Sequence, residues 1–211
     1  MGQSFLFRYQ GRVTVARYLR EGFGQQFLCL DLMNSLYRDG FGNVTDFLLD
    51  SSWTRVFLRH WGFRLGSRAS SAHTETARLR THLRRLVAKH SSGGKMGRGD
   101  LKSLNRALST PMRQRISVSQ GSLRAELRPV TSDWAWVRSR VAASFVEVLS
   151  RDEGRRLKIC PNTGCGWIFC DMTKGGTRRW CNDRRCGNRD RVRRARARGA
   201  GAEPIAKIFG R

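Results

Sequence analysis

The 211-residue sequence predicts a mainly α-helical domain with one β-hairpin, followed by a small cysteine-rich module. Three observations predict this fold class. Apolar residues recur at helical spacing through most of residues 25–150, one stretch alternates apolar and polar residues, and five of the six cysteines fall within residues 160–186. We therefore predict a helical domain over residues 25–150 and a module over residues 155–199. Residues 1–24 are an unassigned lead-in and residues 200–211 a tail.

The first two helices are predicted from apolar runs. Residues 25–37 carry apolar side chains in every turn, which predicts a mostly buried helix. Residues 52–61 predict the second helix, with Ser51 or Ser52 as its N-cap and Gly62 as its C-cap.

The rest of the helical domain follows in order. Residues 71–90 repeat leucines three and four residues apart, which predicts an amphipathic helix, and Asp100 is predicted to cap a short helix that Pro111 ends. Alternating apolar residues on both sides of Gln120-Gly121 predict a β-hairpin. Ser132 is then predicted to cap a helix that carries a long apolar stripe and packs on the earlier ones.

The charge restricts the partners. The chain has 41 Lys and Arg against 16 Asp and Glu, a formal net charge of +25, which attracts nucleic acid, anionic membrane surfaces and acidic proteins. No stretch approaches the ~20 apolar residues of a membrane span, and the first residues lack a secretory signal pattern. We therefore expect a cytoplasmic protein without a membrane partner, whose reduced cysteines bind metal rather than form disulfides.

Two cysteine pairs share the spacing C-x4-C: Cys160 with Cys165, and Cys181 with Cys186. Zinc binds four cysteine or histidine ligands in a tetrahedron, and two short loops that face each other supply them. No histidine follows His90, and four thiolates leave no position for water, so we predict one structural Zn²⁺ rather than a catalytic ion. Ordinary buried thiols are the alternative interpretation.

The chain between the two pairs predicts a second hairpin. Residues 167–169 read as one strand, residues 174–176 as a turn and residues 177–180 as the return strand, so that a metal-bound hairpin precedes a helix. The result is a treble-clef-like or ribbon-like zinc finger. Cys170 lies on the presumed strand and is not counted as a ligand, and Cys29 is read as a small buried hydrophobe.

An arginine-rich stretch follows the last cysteine. Residues 187–199 hold six arginines, and a helix of this composition repels itself unless anions neutralise it. Phosphates do so well, because the guanidinium group donates two parallel hydrogen bonds and stays charged. A solvated tail is the alternative. The predicted nucleic-acid contacts are Arg178, Arg179, Arg184, Arg185, Asn188, Arg189, Arg191, Arg193, Arg194 and Arg196.

Several of these positions match a known pattern together. The chain reads Cys160-Pro-x-x-x-Cys165-Gly-Trp-x-Phe169-x-Asp171, then Arg178-Arg-Trp-Cys181, then Cys186-Gly-Asn-Arg189 and a basic run. This combination resembles the CGNR zinc finger family. The phrase Leu28-Cys-Leu-Asp31-Leu-Met-Asn34-Ser-Leu resembles the ABATE domain that usually precedes this finger. Cys170 stands where a bulkier residue is usual, and Ser35 where threonine is.

The resemblance implies a bacterial, stress-related transcription regulator. It implies that Cys160, Cys165, Cys181 and Cys186 bind zinc, and that the finger contacts DNA. Asp31 and Asn34 lie one helical turn apart, which leaves two interpretations: a small-ligand pocket, or buried hydrogen bonds that fix a neighbouring loop, which we favour.

Three functional classes remain. The leading hypothesis is a nucleoid-associated regulator that binds double-stranded DNA through the finger and uses the helical domain for oligomerisation or for sensing an unidentified small-molecule effector. The alternatives are an RNA- or ribosome-associated module and a protein-interaction adaptor. We do not predict an enzyme, because the sequence shows no Gly-rich phosphate loop, nucleophile elbow or paired carboxylates, and helical roles suffice for its four histidines.

Overall fold

The structure is a computed structural model that describes residues 25–41, 43–66, 73–151 and 153–200. The predicted lead-in and residues 201–211 of the predicted tail lie outside the described residues. The predicted fold class is confirmed: helices dominate, and the described strands form three two-stranded antiparallel sheets. Among the described helices, none is both long and apolar enough to cross a membrane.

The described elements of the N-terminal region are α1 (Leu28–Asn34), β1 (Leu36–Arg38), β2 (Val44–Asp46), a 3₁₀ helix (Phe47–Leu49), α2 (Ser51–His60), α3 (His73–Ser91), α4 (Arg98–Leu108), β3 (Met112–Ser119), β4 (Ser122–Pro129) and α5 (Trp134–Ser150). Those of the C-terminal region are α6 (Glu153–Arg156), β5 (Leu157–Ile159), β6 (Ile168–Cys170), a π-helical turn (Asp183–Gly187) and α7 (Asn188–Ala200). Each strand pairs with the next one along the chain: β1 with β2, β3 with β4, and β5 with β6.

The first predicted helix is shorter in the structure than residues 25–37. It ends at Asn34, and the chain continues as β1, where Leu36 pairs with Asp46 of β2. Tyr37 on this strand is as buried as the helix before it. The prediction was wrong here because an apolar run is compatible with a buried strand as well as with a buried helix.

Two helix starts also differ from the prediction. Asp50, rather than Ser51 or Ser52, caps α2, and its carboxylate accepts from the backbone N–H groups of Ser52 and Trp53 at 2.8 and 3.3 Å. Asp100 lies within the first turn of α4, where it accepts from the N–H of Gly97 at 3.0 Å. A carboxylate can satisfy free N–H groups from either position, so composition alone does not distinguish them.

A third helix start differs from the prediction in the same way. Asp133, rather than Ser132, caps α5, and its carboxylate accepts from the backbone N–H of Trp136 at 3.1 Å. Serine and aspartate are both good N-cap residues, so two adjacent candidates cannot be told apart by residue type.

The predicted β-hairpin at Gln120-Gly121 is confirmed. β3 and β4 pair along their whole length, and both turn residues have positive φ, 51° and 75°. A two-residue hairpin turn of this kind matches the twist of the strands.

One hydrophobic core joins both regions of the chain. α1 is buried over its whole length and packs against α5 and α3. Leu157, Ile168 and Cys170, which belong to β5 and β6, lie in the same buried cluster as Trp53 and Phe145 of the helical domain. The cysteine module is therefore packed on the helical domain and is not an independent domain on a linker.

Candidate metal centre

Cys160, Cys165, Cys181 and Cys186 converge on one point. Their Sγ atoms all lie within 4.8 Å of one another. The Sγ atom of Cys181 is 3.6 Å from that of Cys165 and 3.7 Å from that of Cys186. Tetrahedral zinc with Zn–S bonds of ~2.3 Å separates its sulfur ligands by about 3.8 Å, whereas a disulfide bond is only about 2.05 Å long. The donor set and its spacing therefore fit one four-coordinate zinc ion.

The first cysteine loop is held by Asn162. Its Oδ1 accepts from the N–H of Gly164 at 3.1 Å, and its backbone carbonyl accepts from the N–H of Cys165 at 2.8 Å. Its Nδ2 donates to the Sγ atom of Cys186 at 3.6 Å. This asparagine thus shapes one loop and supports a thiolate of the other.

The second loop begins at Cys181 and passes through the π-helical turn. The side chain of Asn182 accepts from the N–H of Arg185 at 3.0 Å, and its carbonyl accepts from the N–H of Cys186 at 2.8 Å. Gly187 follows, at a place where a Cβ atom would lie 3.0 Å from the Trp180 ring. The tight packing explains the glycine after the last cysteine.

Buried aromatic rings cover the cysteines. Phe169 and Trp180 lie in the same buried cluster as three of the four ligands, Cys160, Cys165 and Cys186. Aromatic rings exclude water from the metal site, so Trp180 has a packing role there.

The predicted hairpin between the cysteine pairs is wrong. β6 pairs with β5, which precedes the first cysteine, with Leu157 opposite Cys170. Residues 171–180 form a loop without strand structure. The strand predicted at residues 167–169 is present at residues 168–170. Its partner was not predicted, because two neighbouring segments have similar strand character and only the packing selects one.

Asp171 holds this loop. It is fully buried and accepts from Nζ of Lys158 at 2.7 Å, from the N–H and Oγ1 of Thr173 at 3.0 and 2.6 Å, and from the N–H of Arg178 at 2.7 Å. Nζ of Lys158 also donates to the carbonyls of Gly176 and Arg178 at 2.6 and 2.9 Å. Burial by itself raises the pKa of this carboxyl, but the hydrogen bonds hold it well below its usual range. Sequence reasoning assigned Asp171 no role, since only the two donors of Thr173 are close in the sequence, whereas Lys158 and Arg178 are 13 and 7 positions away.

The four thiols influence one another's ionisation. Their mutual hydrogen bonds lower the pKa of the Cys160 and Cys186 thiols and raise the pKa of the Cys165 and Cys181 thiols. Adjacent thiolates repel, so all four ionise together only when a cation offsets their charge. Zinc binding is therefore coupled to proton release, and acid weakens it.

The remaining two cysteines lie outside the cluster. Cys170 packs into the main core, and Cys29 lies within α1, where burial raises the pKa of its thiol to about 12. Both thiols are placed as the sequence predicted.

The predicted nucleic-acid contacts fall into two groups. Three arginines donate hydrogen bonds to backbone carbonyl or tyrosine hydroxyl groups of the chain. Arg178 donates from Nε to the Trp180 carbonyl at 2.9 Å and also to the carbonyl of Cys181, and Arg185 donates to the Tyr37 hydroxyl at 3.1 Å. The third is Arg189. The other members of the set are exposed: Arg179, Arg184, Asn188, Arg191, Arg193, Arg194 and Arg196. Arg178 is exposed as well, whereas Arg185 and Arg189 are half-buried. Three of the exposed arginines, Arg191, Arg193 and Arg194, form ion pairs with Asp183 or Asp190.

Arg189 fixes α7 to the helical domain. Its guanidinium donates to the carbonyl of Asp39 at 2.9 Å and lies over the Phe41 ring, 4.0 Å from the centroid. Gly40 between them has φ +87°, and a Cβ atom there would overlap the guanidinium. The backbone N–H of Gly40 donates to the carbonyl of Gly164 at 3.1 Å, so the β1–β2 turn also supports the first cysteine loop.

Asp31 and Asn34 face different partners. Asn34 donates from Nδ2 to the carbonyl of Ile168 at 2.8 Å and accepts from the N–H of the same residue at 2.9 Å. Asp31 accepts from Nε1 of Trp61 at 3.0 Å and from the N–H of Gln25 at 3.1 Å. Asn34 thereby joins α1 to β6, close to the first cysteine loop.

Asn34→Ala is expected to loosen this connection. The substitution leaves the N–H and C=O of a buried Ile168 without these partners, which costs about 2 to 4 kcal/mol in the free energy of unfolding. Urea unfolding of the zinc-loaded protein measures it. Asn105→Ala, at an exposed position of α4, is the matched control and should change stability by less than about 0.5 kcal/mol. Equal effects of the two substitutions would contradict the structural role of Asn34.

Two family models match the chain. The ABATE model, described as "Putative stress-induced transcription regulator", matches residues 27–152, and the CGNR zinc finger model matches residues 156–199. These are regulator and zinc finger families rather than enzyme families. No curated protein matches the chain. The resemblance drawn from the sequence is confirmed in both parts and in their order. Because the first match spans more than half of the chain and the four cysteines lie at zinc-binding distance, the protein belongs to the ABATE family and carries a CGNR zinc finger that holds one structural zinc ion.

Proposed function

We propose that this protein is a cytoplasmic, nucleoid-associated transcription regulator that binds double-stranded DNA through its zinc finger and α7. The observation that carries the proposal is the surface of α7. Between residues 191 and 198 all five arginines are exposed, on a helix that starts two residues after a zinc ligand. A duplex offers closely spaced phosphates, which neutralise such a helix.

The acidic residues near α7 leave most of its charge available. Asp190 is buried in the first helical turn and pairs with Arg193 at 2.6 Å and with Arg194. Asp183 pairs with Arg191 at 3.2 Å. Both carboxylates lie at the start of the helix, where negative charge stabilises the helix dipole. The later turns, which carry Arg196 and Arg198, stay strongly positive.

The zinc ion, when bound, links the two cysteine loops and supplies no further chemistry, because four thiolates fill its coordination shell. The chain positions the helix. Cys186 holds its start to the metal, and Arg189 and Arg185 tie it to the helical domain at Asp39 and Tyr37. We assign these arginines to positioning, and we assign the contact to the exposed arginines. A helical domain that senses an effector or oligomerises would influence DNA binding through these two contacts of Arg189 and Arg185.

A triple variant of α7 is expected to bind duplex DNA more weakly; it carries Arg193→Gln, Arg196→Gln and Arg198→Gln. Glutamine keeps the helix propensity, and Arg194 remains to pair with Asp190. Each lost phosphate contact should lower the slope of log affinity against log salt by about 0.9, so the triple variant should lose about 2.7. Fluorescence anisotropy with a labelled duplex over a salt series measures it.

The matched control removes the same charge elsewhere. Arg55, Arg59 and Arg98 are exposed and lie outside the finger, and their joint change to glutamine should lower the slope by much less. If both triple variants behave alike, α7 is not the contact. Duplex binding unchanged from wild type in the α7 variant would favour the protein-interaction adaptor.

An RNA- or ribosome-associated module is the competing function, because RNA offers the same phosphates. Competition of unlabelled duplex DNA against structured RNA at ~150 mM salt separates the two. We expect duplex DNA to compete more strongly, and a preference for RNA would overturn the DNA proposal.

A further inference from the structure

The β3–β4 hairpin has two chemically different faces. Directly opposed residues of an antiparallel pair lie on the same face, so the register divides the side chains cleanly. One face, here called the charged face, consists of Arg113, Arg115, Ser117 and Ser119 on β3 and of Ser122, Arg124, Glu126 and Arg128 on β4. The other, the apolar face, includes Ile116, Val118, Leu123 and Leu127, which are exposed.

The charged face is repulsive by itself. Arg113 lies directly opposite Arg128, and like charges at opposed positions destabilise a strand pair. Glu126 offsets one of these charges through its ion pair with Arg128 at 2.7 Å. Four arginines against one carboxylate leave a net charge of +3 on this face. All four arginines are exposed, so the charges face solvent.

The hairpin also lacks support from the core along its length. Only Pro129, at the root of the hairpin, is buried among its eighteen residues, 112–129. A two-stranded ribbon without a packed face is only marginally stable in water. A polyanion on the charged face would remove the repulsion between the strands.

The hairpin adjoins one end of α5, and the first elements of the cysteine module adjoin the other end. β4 ends just before the start of α5, and α6 and β5 follow its end. The 17 residues of α5 span roughly 25 Å. This length is comparable to one turn of B-DNA, about 34 Å.

We infer that the charged face of the hairpin is a second DNA-contacting surface, which binds the phosphates of the duplex that the finger engages. The inference rests on the proposed function. A two-stranded β-ribbon fits the major groove of B-DNA, and arginine and serine side chains are common phosphate donors. The charged face supplies both residue types in adjacent positions.

The test compares three variants in the same salt series. Arg113→Thr, Arg115→Thr and Arg124→Thr replace three charges with a residue that favours strands. We expect the salt slope to fall by about 2.7, as for the α7 variant, whereas the control with Arg55, Arg59 and Arg98 changed to glutamine should lower it by much less. If the salt slope of the hairpin variant equals that of this control, the inference is overturned and the proposed function still stands. A wild-type protein without affinity for duplex overturns the proposed function itself.

Amide hydrogen exchange of the wild type tests the same surface without any substitution. We expect fast exchange in residues 112–129 of the free protein, and at least tenfold slower exchange with saturating duplex. Exchange in the hairpin that duplex does not change overturns the inference. So does exchange that is slow in the free protein and depends on protein concentration, because the hairpin would then be a contact between copies of this chain.

Discussion

Cys165→Ser is expected to lose the zinc ion and to unfold the cysteine module. Four thiolates fill the tetrahedral shell, and serine does not replace the missing sulfur donor. Structural zinc contributes about 10 kcal/mol or more to the folded state of small zinc fingers. Because Leu157 and Ile168 of this module belong to the main core, the loss should also lower the melting temperature of the helical domain. Metal analysis and calorimetry of the purified variant measure both effects.

Cys170→Ala is the matched control for this experiment. Cys170 is as buried as Cys165 but lies outside the sulfur cluster. The control should keep one zinc ion per chain and lose only the modest stability that a smaller core side chain costs, about 1 kcal/mol. One zinc ion per chain in Cys165→Ser, with an unchanged melting temperature, would refute the assignment of the site.

Asp171→Ala is expected to give the second largest effect. It leaves the ammonium group of Lys158 without its charge partner and frees the loop of residues 171–180. Removal of one partner from a buried ion pair costs about 3 to 5 kcal/mol, and we expect the lower end of that range because the Lys158 side chain is 31% exposed. Because the loop leads into Cys181, zinc affinity should fall as well. Urea unfolding and competition with a zinc chelator measure these two quantities.

The effect of Asp171 should depend on pH. The pKa of its carboxyl is lower in the folded protein than in the unfolded chain, so its contribution is complete at neutral pH and is lost as the pH falls. The difference in unfolding free energy between wild type and Asp171→Ala should therefore be constant from about pH 7 to 5 and narrow below about pH 4, the usual range of a carboxyl. Asp183→Asn changes an exposed carboxylate of the same finger. It should show neither the loss of unfolding free energy nor its dependence on pH.

The sequence predicted those features that depend on neighbouring residues. The repeated C-x4-C spacing gave the zinc ligands, because a tight turn between two cysteines brings both sulfur atoms to one side. The alternation of apolar and polar residues around Gln120-Gly121 predicted the β3–β4 hairpin and its turn, since a two-residue turn fixes the register of both strands. The α3 helix follows from its leucine spacing, and the structure extends it from His73 to Ser91.

Predictions failed where the local sequence pattern is compatible with more than one structure. The strand predicted at residues 167–169 was expected to pair with residues 177–180, but in the structure it spans residues 168–170 and pairs with β5. Tyr37 was read as part of a helix but lies in β1. In both places the local pattern allows two structures, and the side chains that decide between them, such as Lys158 with Asp171, come from distant positions.

By itself the sequence determined the composition of the metal site, the basic character of the helix that follows it and the order of the two regions. The tertiary structure alone decided how these parts are joined. Arg189 and Arg185 belong to an arginine-rich stretch in which every member looks alike, yet contacts with Asp39 and Tyr37 turn these two toward the helical domain. Asn34 meets Ile168 across 134 positions of chain. Such contacts depend on the packed core, which brings together residues that local spacing cannot relate.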